Sequence, residues 1–176
     1  MTGILTPQSS TTAFQHGPGE GSNAMWLPWH DGGRVTIKAA SAETEGRFSQ
    51  VEFDDVQGTS PPLHIHTNGD ESFYVVSGEI DVLCAGETFV ATAGDYVFIP
   101  RGQLHTYLVR SERAKLLATY APPGFEQFFV DNGVAVVPGE PHPALTAPDP
   151  EVFALSAKKY GCDIVGPPLT LNQLSG

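Results

Sequence analysis

Basic residues are scarce in this chain. Nine Lys and Arg stand against twenty Asp and Glu, a formal net charge of −11 over 176 residues. A nucleic-acid partner needs a basic footprint that neutralises phosphates, and no segment supplies one. An anionic membrane surface is disfavoured for the same reason. Long apolar runs are missing too: none approaches the roughly 20 residues that cross a bilayer as a helix. Cysteine is nearly absent. Cys84 and Cys162 are too few for a disulfide framework. Cys84 falls inside a strand pattern as a small buried hydrophobe, and both are expected to be reduced thiols. The opening stretch MTGILTPQSSTTAFQHG has no basic region followed by a long apolar segment. It does not read as a secretory signal, so the expected location is cytoplasmic. The glycines between Gly17 and Gly21 lack the Lys-Ser/Thr of a phosphate loop. No Gly-x-Ser-x-Gly elbow is present, which removes support for serine hydrolase chemistry.

What is abundant is glycine and proline, nineteen and fifteen. Between them lie short apolar runs rich in Val, Phe, Tyr and Thr, the composition of an all-β domain. Strands are predicted at Arg34 to Ala39, Arg47 to Phe53, from His64, at Ser72 to Ser77, Ile80 to Cys84, Glu87 to Ala91, Tyr96 to Ile99, His105 to Arg110 and Lys115 to Tyr120. That spacing suits a sandwich or barrel. Residues 1 to about 24 read as an arm, flexible or held by a partner, and Asp31-Gly32-Gly33 as a turn. Trp26, Trp29 and His30 read as a packed N-terminal strand, a lid over a site being the alternative. Phe125 to Asp131 suits a short helix. Glu151 to Lys159 suits another, with acid and proline at its start and Gly161 at its end. The division expected is 1–33 as arm and first strand, 34–122 as barrel, and 123–176 as a C-terminal helical extension.

Chemistry concentrates in PPLHIHTNGDESFYVVSGE, Pro61 to Glu79. His64 and His66 share a strand face, separated by roughly 6–7 Å of rise. Their rings can converge on one ion. Glu71 would fall off that face in a continuous strand, but Asn68-Gly69-Asp70 turns the chain and is expected to bring it beside His66 on a neighbouring strand. His105 opens a later strand behind Pro100-Arg101-Gly102. Three imidazoles and one carboxylate form a thiolate-free site. It suits one divalent transition ion, Ni, Fe, Mn, Co, Cu or Zn, with positions left for water or substrate. Phe53, Phe73 and Tyr107 fall at inward parity as candidate pocket walls, with Phe125, Phe128 and Phe129 placed to close the mouth.

These residues carry a family resemblance. Gly58, five residues, His64-Ile65-His66, four residues, Glu71, six residues and Gly78 resemble the first motif of the cupin superfamily. Gly94, five residues, Pro100-Arg101-Gly102, two residues and His105 resemble its second motif, except that Val109 stands where the family has asparagine. The resemblance implies a double-stranded β-helix, a small jelly-roll barrel, with His64, His66, Glu71 and His105 as metal ligands. More loosely, Glu45 to Ser49, Pro123 to Glu126 and Tyr160 to Leu169 are similar to single-domain cupins related to quercetin 2,3-dioxygenase. That likeness implies a metal-dependent dioxygenase taking O2 and a flavonol-like or other enolic aromatic, with Glu71 as ligand, catalytic base or both. It also implies a homodimer. The alternatives are a non-oxidative metal-cupin isomerase, cyclase or lyase, or a binding module without catalysis.

Overall fold

A computed structural model describes residues 12–30 and 32–173 of the chain. The first eleven residues of the expected arm, and Asp31 of the expected turn, lie outside the described residues. Twelve strands form two antiparallel sheets among the described residues. In the first, β11 (Val134–Ala135), β1 (Asn23–Trp26), β2 (Arg34–Ala39), β3 (Ser49–Val56), β10 (Arg113–Ala121), β5 (Asp70–Ser77) and β8 (Tyr96–Ile99) lie in that order. In the second the order is β12 (Cys162–Pro168), β4 (Pro62–His66), β9 (Leu104–Val109), β6 (Glu79–Cys84) and β7 (Glu87–Thr92). This all-β architecture is the double-stranded β-helix. No helix among the described residues is long and apolar enough to cross a membrane.

Period-2 patterning makes the barrel. Along β3, Ser49, Val51, Phe53 and Asp55 turn inward, and along β10 Ala114, Leu116, Ala118 and Tyr120 do. Each of these strands thus gives one face to the core and one to solvent. The strand expected from Arg47 begins at Ser49, because Glu45 and Gly46 both take positive φ in the turn before it. Cys84 is free as expected but half-buried, at the end of β6; Cys162 is free and buried.

The segment after residue 122 differs from a purely helical extension. It holds α1 (Glu126–Asn132) and α2 (Pro150–Lys159), the latter capped by the Asp149 side chain accepting from Glu151 and Val152 N–H. Gly161, at φ +76°, follows it. The chain then forms β12, which pairs with β4 so that Cys162 lies opposite His66 and Ile164 opposite His64. A strand ending in Gly166-Pro167-Pro168 is tolerable here because β12 is an edge, where missing N–H donors cost no ladder bond. Part of the arm is held by the chain itself: Arg34 donates to the Gly19 carbonyl, and Lys38 to those of Gly17 and Glu20. His142, in the proline-rich chain before α2, packs edge-on against Trp26.

Gly78, between β5 and β6, shows why the first motif ends in glycine. Its φ is +84°, and a Cβ there would sit 2.4 Å from the Arg113 carbonyl oxygen and 2.7 Å from the Ala114 Cα. Both obstacles are backbone and neither can swing away. Gly78→Ala is therefore expected to lower stability by about 2–4 kcal/mol, seen as a fall in Tm of roughly 5–15 °C. A change of under about 2 °C would refute the close approach.

Candidate metal centre

Three strands, β4, β5 and β9, carry the four candidate ligands, close to the two loops at 67–69 and 100–103. In β4, His64 and His66 face the barrel interior, and the antiparallel pairing of β4 with β9 sets His64 directly opposite His105. Glu71 arrives differently from the expectation. Strand β5 does not pair with β4; it belongs to the other sheet, between β10 and β8. The turn at 67–69 carries the chain across the barrel end, so Glu71 points at the histidines from the opposite wall. Arg101 ties the two loops together, its side chain and backbone N–H binding the Asp70 carboxylate at 3.0–3.1 Å. Gly102 N–H donates to the His66 carbonyl at 2.8 Å.

All four side chains are buried, and one ligand atom from each lies within 4.8 Å of the others. Glu71 Oε2 is 2.9 Å from His105 Nε2 and 3.2 Å from His66 Nε2. His64 Nδ1 donates to the Pro62 carbonyl at 2.7 Å, and His105 Nδ1 to that of Gln103 at 2.9 Å. A carbonyl can only accept, so both rings carry a proton on Nδ1 and turn Nε2 toward the centre. This is the outer-shell arrangement that fixes imidazole ligands. His66 Nε2 is buried with no hydrogen bond of good geometry. Burial, then the neighbouring His105 and His66, push His64 down to about 3, so it is neutral and ready to donate a lone pair. Burial alone would raise the Glu71 carboxyl. The flanking His66 and the His105 hydrogen bond outweigh burial and hold Glu71 well below its usual range. Three buried imidazoles around an ionised carboxylate, one ring nitrogen left orphaned, fit a divalent first-row ion by donor type.

The cluster borders an apolar cavity of about 70 Å³. The residues expected at the pocket, Phe53, Phe73, Tyr107, Phe125 and Phe128, all line it, as does Phe129. Phe125 sets its ring edge-on to His66 with centroids 4.5 Å apart, and Phe125 and Phe128 are stacked.

Several wall residues escape sequence reasoning. Tyr120 lies opposite Glu71 in the β5–β10 register and lines the cavity beside it. Its inward parity with Leu116 and Ala118 was the available signal. Cys162, Ile164 and Phe153 also line the cavity, brought there by β12 and α2, while Trp29 and His30, expected in a packed strand with a lid as the alternative, lie in the loop after β1 and line it too. Beneath Tyr107 lies Asp55, fully buried, whose Oδ2 accepts from the Tyr107 hydroxyl at 2.7 Å while Oδ1 has no partner. Burial raises Asp55 to about 7, the Tyr107 hydrogen bond opposing it. Val109, at the position of the family's asparagine, is a core residue of β9 with no exposed surface.

The cupin domain family matches residues 51–120. That stretch is a cupin domain. Among curated relatives, this cupin is 31% identical over 84 residues to quercetin 2,3-dioxygenase of Bacillus subtilis (strain 168), covering 48% of this chain and 25% of that protein. It is 38% identical over 64 residues to an uncharacterized protein of Aquifex aeolicus (strain VF5), covering 36% of this chain and 53% of the other. The cupin thus spans about a quarter and about half of these relatives. Its fold is similar to that of a predicted oxalate decarboxylase from Thermotoga maritima, with TM-score 0.52 and 19% identity over 57% of this chain and 92% of that one. KdgF from Halomonas sp. is similar at TM-score 0.50 and 22% identity, over 56% and 89%.

Proposed function

We propose that this cupin is a metal-dependent dioxygenase that cleaves a planar enolic aromatic, a flavonol or close analogue, with O2. The observation that carries the reading is the juxtaposition of a buried His3Glu cluster with a cavity walled by Phe53, Phe73, Phe125 and Phe128. A divalent ion held by His64, His66, Glu71 and His105 would supply Lewis acidity, lowering the pKa of an enolic hydroxyl brought to it. The local likeness to quercetin 2,3-dioxygenase points the same way.

The chain's own residues supply the rest. The aromatic walls take a flat substrate on its faces and exclude water. Glu71, held ionised in the apolar chamber, accepts the proton of the enolic hydroxyl on a carboxylate oxygen. Tyr120, opposite Glu71 in the β5–β10 register, flanks that carboxylate and limits its orientation. Both oxygen atoms of O2 end in products, and for a flavonol one ring carbon leaves as carbon monoxide.

The test is O2 consumption by protein loaded separately with Fe(II), Mn(II), Co(II), Ni(II), Cu(II) and Zn(II), each offered a panel of flavonols and simpler enols. At least one ion is expected to give one O2 consumed per flavonol lost, with carbon monoxide released and no turnover in His66→Ala. Stoichiometric metal binding without uptake for any pairing would overturn the reading and return the cupin to non-oxidative metal chemistry.

A further inference from the structure

The cavity at the metal cluster, about 70 Å³, is smaller than the roughly 300–1,000 Å³ that drug-sized ligands occupy. It has room for part of a flavonol, a three-ring molecule, and not for the whole. A second, open cleft of about 870 Å³ lies alongside, and Trp29, His30, Pro62, Phe153 and Ile164 line both spaces. Any flavonol seated on the cluster must pass this shared wall and leave its outer ring in the cleft. Four of the five wall residues offer an apolar or aromatic surface. His30 differs: its Nδ1 is fully buried and has no hydrogen-bond partner.

We propose that His30 is a specificity-determining residue, its Nδ1 hydrogen-bonding a hydroxyl on the ring of the substrate that projects from the metal chamber into the outer cleft. This rests on the flavonol reading above and specifies which flavonols the site prefers. The loop holds the side chain in place. His30 N–H donates to the Leu27 carbonyl at 3.0 Å, and Gly33 N–H to the His30 carbonyl at 3.3 Å. Gly33 packs so closely that a Cβ there would meet the His30 Cβ at 2.9 Å. Trp29 flanks the imidazole edge-on at 6.2 Å between centroids. Burial pushes the ring down to about 4, so it is neutral at physiological pH. A neutral imidazole nitrogen in an apolar wall selects a hydroxyl over hydrogen at the same ring position. A substrate lacking the hydroxyl leaves the nitrogen buried and unpaired, a loss of order tenfold in affinity.

The experiment is an anaerobic titration of cobalt-loaded protein with the unsubstituted flavonol core and with the same core carrying one hydroxyl on either outer ring, following the flavonol absorbance band. Without O2 no turnover intervenes. One hydroxylated isomer is expected to bind about tenfold more tightly than the core. His30→Phe should abolish that preference, the three probes then binding within about twofold of one another. His30→Gln, which keeps a hydrogen-bonding group, should retain part of the preference and serves if the Phe variant fails to fold. A full preference surviving in the variants, or equal binding of all three probes to the unaltered protein, overturns the role of His30 alone. Failure of every probe to bind the unaltered protein overturns the flavonol reading itself and this inference with it.

Discussion

Glu71→Gln is expected to lower turnover by about 10²–10⁴-fold while the cluster still takes up its ion. The substitution preserves shape and leaves three imidazoles. His64 and His105 are oriented by the Pro62 and Gln103 carbonyls, contacts the substitution does not touch. Loss of the carboxylate charge should weaken metal affinity by about 10–100-fold, the scale of orienting and charge effects at such sites, which saturating ion restores. An amide cannot accept the enolic proton, so activity stays low at saturation. His66→Ala is expected to behave differently. It removes the nitrogen nearest the carboxylate after that of His105, and the ring against which Phe125 packs, and it loses stoichiometric binding outright. Metal content after dialysis, set beside O2 consumption at saturating ion, separates the two variants. Glu71→Gln turning over within tenfold of the unaltered protein would remove Glu71 as the base.

The parts of this site legible in the sequence are those set by local chain geometry. His64 and His66 share a face because strand side chains alternate, and the two spaced motifs sufficed to group them with Glu71 and His105. The inward parity of Phe53, Phe73 and Tyr107 follows from the same alternation, and each lines the cavity. What was not legible depends on pairing between distant segments. Glu71 was expected beside His66 on a neighbouring strand, yet it crosses from the other sheet, because nothing in Asn68-Gly69-Asp70 says whether a turn joins partners or spans a barrel. Strand β12 was hidden by Gly166, Pro167 and Pro168, residues that read as loop unless the strand is known to be an edge. His30 and Phe153 reach the wall through a loop and a helix whose docking is a tertiary outcome. The three flanking segments that suggested a quercetinase-like cupin divide accordingly. Phe125, Cys162 and Ile164, from two of them, lie at the cavity, whereas Glu45 and Gly46 only turn the chain into β3.

The buried Asp55 makes a prediction about stability that does not depend on the reaction. Its carboxyl titrates at about 7 in the folded protein against an ordinary 3.8, with burial as the largest cause. Between about pH 4 and 7 the unfolded chain has already lost this proton while the folded protein keeps it. The native state therefore binds more protons there, and this group makes stability fall as pH rises. The slope is at most about 1.4 kcal/mol per pH unit, giving about 2–4 kcal/mol across the window. His64 and His30, pushed down to about 3 and 4, act with the opposite sign, since their unfolded forms bind protons that the buried neutral rings refuse. In the unaltered protein the opposing slopes mask one another. Asp55→Asn exposes the carboxylate's share. An amide oxygen still accepts from the Tyr107 hydroxyl, but there is no charge to bury. The amide N–H2 would occupy the position of the unpartnered Oδ1, adding a cost that is the same at every pH, so the diagnostic quantity is the slope of the difference. Denaturant unfolding of both proteins, with chelator present, should show Asp55→Asn gaining about 2–4 kcal/mol relative to the unaltered protein between pH 4 and 8. A difference that stays flat across that range would mean the Asp55 carboxyl is ionised in the folded protein throughout, and that a partner for Oδ1 offsets its burial.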